Sequence, residues 1–124
     1  MEKTIKNMTL TLDNAEFEFR NLHYNAIKTL MNTYCNLLKQ LTTDLKSSNY
    51  ENSHNEILKA HRDRVKNLHS NISKAIHFEL DNGNYKSANN LTMITERLQR
   101  SKNDLNHIIV SVEVREVSPQ HKDK

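Results

Sequence analysis

Apolar residues recur three and four positions apart along three long stretches of this chain, and a two-residue alternation flanks them at each end. The first alternation covers residues 5–12, where Met8, Leu10 and Leu12 take one side and Asn7, Thr9 and Thr11 the other. Period two with Thr and Leu predicts a short strand. Asp13 and Glu16 then have the spacing of a capping box, in which the Asp carboxylate accepts from free backbone amides and the Glu reaches back. A helix over 14–47 is expected to follow. Phe19, Leu22, Ala26, Leu30, Tyr34, Leu37, Leu41 and Leu45 form its stripe, and Ile27, Met31 and Leu38 widen it enough to face two neighbours. A rival reading pairs Phe17 and Phe19 as a second strand over 16–20, turned at Asp13-Asn14.

Ser47 to Ser53 is a polar break, and Ser53 with Glu56 repeats the capping-box spacing. The next predicted helix, 54–81, turns Leu58, His61, Val65, Leu68, Ile72, Ala75 and Ile76 inward. Asp81-Asn82-Gly83-Asn84 stops it, with Gly83 free to take the positive φ of a helix C-terminus. A third helix over 85–106 carries Leu91, Ile94, Leu98, Ser101 and Leu105 in a coiled-coil-like rhythm. Then Ile108, Val110, Val112 and Val114 alternate with Ile109, Ser111, Glu113 and Arg115, which predicts a strand over 108–117. Residues 118–124 read as a disordered polar tail. No internal repeat stands out.

The expected fold is mainly α: one domain over 1–117, a three-helix up-down-up bundle with a short strand at each terminus. Short breaks make consecutive helices antiparallel neighbours. The terminal strands would pair with each other or with another copy, because unpaired edges are seldom left open. Val110, Val112 and Val114 are then the strand-pairing candidates for a trans interface.

Composition adjusts this picture modestly. The chain has 124 residues, only 35% of them hydrophobic, with no Trp, one Gly and one Pro. That suits long helices that each bury one stripe, with a partner or second copy supplying further burial. A net charge of +3 falls short of a dedicated nucleic-acid domain. The single cysteine, Cys35, excludes an internal disulfide and a cysteine-based zinc site. No signal peptide or apolar membrane span is visible, so a cytoplasmic setting is expected. The Asn and Lys bias matches AT-rich coding, as in a phage or mobile element acting in a host cytoplasm. Sequons at Asn7, Asn71 and Asn90 are what chance supplies in a chain this rich in Asn.

Candidate chemistry is sparse. Lys59, Arg62, Lys66 and His69 recur at helical spacing, and such a stripe could follow phosphates. A solvated helix face is the commoner meaning of that pattern. His54, His61, His69 and His77 are seven or eight apart, too far for metal ligation from one helix. Cys35 near an apolar stripe reads as a small buried hydrophobe. Glu16 with Glu18, and Glu79 with Asp81, are two apart and point to different helix faces. His61-Arg62-Asp63 lacks the rest of a kinase catalytic loop. Arg64 and His69 resemble the loose Arg-x4-His pattern of HEPN-type ribonucleases, small helical proteins that act as dimers. Val65 departs from the polar residue usual there, and an unbroken helix would turn the two side chains about 140° apart.

These features lead to the expectation of a non-enzymatic helical interaction protein without cofactor or metal. It would bind a protein partner or itself through an apolar helix face or a terminal strand edge, as a homo-oligomer or an accessory, regulatory or inhibitor protein. A nucleic-acid-associated protein using the stripe at Lys59, Arg62, Lys66 and His69 is the alternative. A HEPN-like ribonuclease is the third reading. No membrane partner is expected.

Overall fold

The computed structural model describes the backbone over residues 2–47 and 52–122, and side chains over 2–45 and 54–113. It contains four helices among those residues and no strand: α1 (Glu2–Arg20), α2 (Tyr24–Ser47), α3 (Asn52–Asp81) and α4 (Tyr85–Lys122). The mainly helical class is as expected. The three-helix count and both terminal strands are not.

The N-terminal alternation fails because a longer-range period overrides it. Ile5, Met8, Leu12 and Ala15 are all buried, and they are spaced three and four apart. Leu10, which the strand would have placed beside Met8 and Leu12, faces outward. Asp13 consequently lies in mid-helix and caps nothing. At the other end Leu98, Ser101, Leu105, Ile108, Ile109 and Val112 extend one buried seam through the stretch expected as a strand. Val112 is 4% exposed and Val110 is 48% exposed, so these two no longer share a face. Val114 has no described side chain. β-Branched residues disfavour helix by only a few tenths of a kcal/mol each, and a packed seam outweighs that. The α4 backbone stays helical through Lys122, including residues 118–122 of the expected tail. Ser53, the capping residue of the expected Ser53–Glu56 box, lies outside the described side chains.

The expected helix over 14–47 is broken at Asn21-Leu22-His23. The Leu22 amide donates to the Phe19 carbonyl and the His23 amide to the Glu18 carbonyl, at 3.0 and 2.9 Å. This is the Schellman pattern, and Leu22 takes the left-handed conformation it requires, with φ 61°. The turn from α3 to α4 repeats it bond for bond: Gly83 to Leu80 and Asn84 to Glu79, with Gly83 at φ 75°. In both turns an Asn side chain, Asn21 or Asn82, also donates to the carbonyl of Phe17 or Phe78. The sequences match accordingly: Phe17-Glu18-Phe19-Arg20-Asn21-Leu22-His23-Tyr24 against Phe78-Glu79-Leu80-Asp81-Asn82-Gly83-Asn84-Tyr85. The molecule is two helical hairpins with equivalent turns, a local repeat hidden by the Gly/Leu difference at its centre.

Side-chain pairs fix the arrangement. Thr4 bonds Asp44, so α1 and α2 are antiparallel, and Arg62–Asn106 with Lys59–Glu113 does the same for α3 and α4. Thr9 meets His61 and Glu16 meets Arg64, so α1 and α3 run parallel. Asn32 meets Arg97 and Cys35 meets Ser101, so α2 and α4 also run parallel. The hairpins therefore lie side by side, with α2 and α3 on one diagonal of the bundle and α1 and α4 on the other. Tyr34, Met31, Leu38 and Leu41 of α2 fill the centre with Leu58, Val65, Leu91, Ile94 and Leu98.

A leucine at positive φ costs about 1 kcal/mol that glycine does not. Leu22→Gly should therefore raise the unfolding free energy by about that amount in urea titration, while Gly83→Leu should lower it similarly. Equal destabilisation by both substitutions would contradict the equivalence of the two turns.

Candidate functional site

Three regions of the bundle carry organised chemistry. The first is a buried polar chain. His61 is 2% exposed and sits where α1, α2 and α3 converge. Thr9 donates its hydroxyl to the Ile5 carbonyl at 3.1 Å, so the 2.9 Å contact with His61 Nε2 requires that nitrogen to be the donor. Nδ1 is then the acceptor for the Tyr34 hydroxyl at 3.1 Å. The hydrogen-bond network thus assigns a neutral Nε2–H tautomer with every polar atom satisfied. Burial holds the His61 pKa down to about 4, and the nearby Arg64 charge adds to this. Burial likewise pushes the Tyr34 phenol well above its ordinary value. His61 is enclosed on every side, in keeping with its place in the inward stripe expected for this helix.

Beside it, the Arg64 guanidinium bridges from α3 to α1. It bonds Glu16 at 2.7 and 3.1 Å and Asp13 at 2.5 Å. The Glu16 hydrogen bond leads the causes that raise the Arg64 pKa further. Glu16 and Asp13 are thus clasps of the α1–α3 seam. The HEPN-like pair is not assembled: Arg64 points to α1, while His69 shares the side of α3 that carries Arg62 toward α4. The expected basic stripe is partly spent within the fold. Lys59 pairs with Glu113 at 3.1 Å and Glu56 at 3.3 Å, and Arg62 donates to Asn106 at 2.8 Å. Lys66 remains exposed and His69 half-buried. No group of three or more His, Cys, Asp or Glu suited to a metal occurs among the described residues. No described helix is long and apolar enough to cross a membrane.

The second region is the groove between α2 and α4. Its upper part, about 490 Å³, is polar, with Asn32, Asn36, Lys39, Arg97 and Arg100 around Cys35. Cys35 contacts Ser101 Oγ at 3.4 Å and is half-buried, as a small packing residue. The lower part, about 540 Å³, has an apolar floor of Leu38, Leu45, Ile108 and Val112 and a rim of Asp104 and His107. Both parts are open troughs.

The third region, which periodicity did not disclose, is the end of the bundle where both turns lie. Phe17, Leu22, Phe78, Leu80 and Tyr85 are all exposed there, five of the nine large exposed apolar side chains among the described residues. Leu22 is 66%, Phe78 64% and Tyr85 66% exposed. The end is stepped. Arg20, the last residue of α1, shares a cleft with Asn67 and Asn71 of α3. Asp81 ends α3 ten residues beyond Asn71, so α3 runs about 15 Å past α1. Phe78 is seven residues after Asn71, on the same side of the helix, and is bare because α1 has stopped. On the opposite side of the step, Glu79 comes near Tyr24 of α2, whose phenol pKa is raised by burial and then by that charge. The signal available in the sequence was the pair of Phe-Glu-x-x-Asn segments.

No protein-family model, curated protein or solved structure matches the chain.

His61 couples the fold to pH with a definite sign. Its pKa falls from 6.5 to about 4 on folding. The unfolded chain therefore takes up the proton first, and the stability that His61 contributes is complete above pH 6.5 and drains away as pH falls toward 4. The loss should be about 3 kcal/mol across that window. His61→Gln should flatten this part of the stability profile, measured by urea unfolding at pH 7, 5.5 and 4.5. An unchanged slope would place the pH response elsewhere.

Proposed function

We propose that this chain is a non-enzymatic helical interaction protein that binds another protein through the apolar, stepped end of its bundle. One observation carries this reading: large apolar side chains are concentrated where both hairpins turn, and the local structure there is not optimised for the fold alone. Leu22 occupies a backbone conformation that glycine would hold at lower energy, yet its side chain is mostly in water. Asp81 places a negative charge at the C-terminal end of α3, where the helix dipole disfavours it. Departures of this kind gather where a surface is kept for binding. Large apolar side chains gathered in the open at one end mark a protein contact, and Tyr is among the residue types enriched as its anchors.

The interaction surface is a helix-turn end, and the strand edge formed from Val110, Val112 and Val114 has no place in it. An accessory role, regulating or inhibiting a larger complex in the cell that carries it, suits a small bundle whose clefts are shallow troughs. No Phe, Tyr or Trp falls within residues 51–77 to interleave with Lys59, Arg62 and Lys66, and two of these charges are paired internally, which weighs against a nucleic-acid surface.

A photo-reactive benzoylphenylalanine at Tyr85 should give discrete protein adducts in cells expressing the chain, and the same probe at Lys66 should give none. Nuclease treatment should leave the adducts intact. Adducts at Lys66 that vanish with nuclease, with none at Tyr85, would reverse the assignment in favour of nucleic acid.

A further inference from the structure

The step at the turn end has a shape and charge pattern that match a second copy of itself, and we propose that two copies of this chain lap there as a two-fold dimer. This rests on the interaction reading above and names the partner. Each copy has a notch and a protrusion. The notch has the first turn, Leu22, as its floor and the α3 side bearing Asn71 and Phe78 as its wall. The protrusion is the second turn, from Asp81 to Tyr85. A two-fold axis through the step puts each protrusion into the other's notch. Phe78 then meets Phe78 of the second copy across the axis, and the tip with Tyr85 comes down over Leu22.

Three independent features agree with this seating. The first is shape: α3 continues to Asp81 beyond the end of α1 at Arg20, so the same end of each copy carries both a notch and a protrusion to fill one. The second is charge. Arg20 ends α1 at the notch floor, where His23 is already paired with Glu18 at 2.9 Å, and Asp81 ends α3 at the tip. Both Arg20 and Asp81 are exposed, and neither has an ion pair or side-chain hydrogen bond among the described residues. In the lapped pair, Arg20 of each copy faces Asp81 of the other, twice by symmetry. That cation also relieves the unfavourable charge at the end of α3. The third is area. Leu22, Phe78 and Tyr85, the exposed apolar side chains that the lap would cover, offer on the order of 300 Å² of apolar surface per copy. With the polar rim of the step, this suits a reversible dimer at the small end of interface sizes. A mixed rim around an apolar centre is what an isologous contact needs, because the same patch must complement itself.

Leu22 separates the dimer's needs from the fold's. Leu22→Gly relieves backbone strain in each copy and removes the floor of the notch. It should raise the thermal midpoint of the dilute protein while weakening association, which a purely structural residue would not do.

The test is sedimentation equilibrium of the full chain from about 1 μM to about 1 mM, with unfolding measured on each variant. The expected result is a reversible rise from 14.5 kDa to twice that mass. Phe78→Asp should weaken association at least about tenfold. Arg20→Glu and Asp81→Arg should each do the same, and the double variant should recover affinity, since each chain then carries both halves of the swapped pair. All four sites are exposed, so the variants should fold. A chain that stays at 14.5 kDa throughout overturns the dimer. So does a dimer indifferent to Phe78→Asp and to the charge exchange. In either case, Tyr85 adducts to a different protein would leave the interaction reading standing with another partner. Their absence as well would remove both.

Discussion

The parallel register of α1 against α3 is the constraint from which the rest of the architecture follows. It is set by polar contacts, because the seam between these two helices is the slightest in the bundle and is bordered by clefts above and below. Thr9 with His61, and Asp13 and Glu16 with Arg64, have only one mutual alignment that satisfies all of them. Apolar stripes tolerate sliding by a helical turn, since leucine against leucine is nearly as good one notch along. A buried imidazole with a donor on one side and an acceptor on the other does not. Displacing α1 by a turn would leave His61 Nε2 without an acceptor and Arg64 without its carboxylates.

That register has a consequence at a distance. With Thr9 level with His61, α1 comes to its end beside Asn71 while α3 continues to Asp81. The overhang, and with it the exposure of Phe78, follows from a hydrogen bond made more than two helical turns away. A polar chain in the core and an apolar patch at the surface are thus two ends of one structural fact. The buried chain sets the neutral state of His61, and it also sets which hydrophobic side chains are left for a partner.

The two hairpins show how much one residue can conceal. The same capping bonds close both turns, and the same Phe, Glu, Asn and Tyr surround them. Gly83 announces its turn because glycine takes positive φ without steric cost. Leu22 does not, because leucine at that position reads as one more apolar step in a helix. The stripe from Phe19 through Leu22 to Ala26 looked continuous, and a break was legible only in the polar Asn21 and His23 on either side. Among the site residues, the burial of His61 was readable from its place within the apolar stripe. The partners of Arg64 were not, since Asp13 and Glu16 stand about fifty residues away with the spacing of a helix cap.

What the sequence determined by itself was the mainly helical class and which face of the central segments is apolar, because both depend on spacings of three and four within a single segment. Leu58, Val65, Leu68 and Ile72, and later Leu91, Ile94 and Leu98, occupy the core as their rhythm required. What only the tertiary structure decided was whether the terminal segments were strand or helix, where the first long stripe breaks, and which cations stay free. Ile5 to Leu12 and Ile108 to Val114 satisfy two periods at once, and burial against neighbouring helices selected the longer one. Lys59, Arg62 and Arg64 looked alike along the chain and differ only because α1 and α4 bring carboxylates and an amide within reach. Local pattern fixes the face a residue shares with its neighbours in sequence, but the register between distant helices fixes what that face meets.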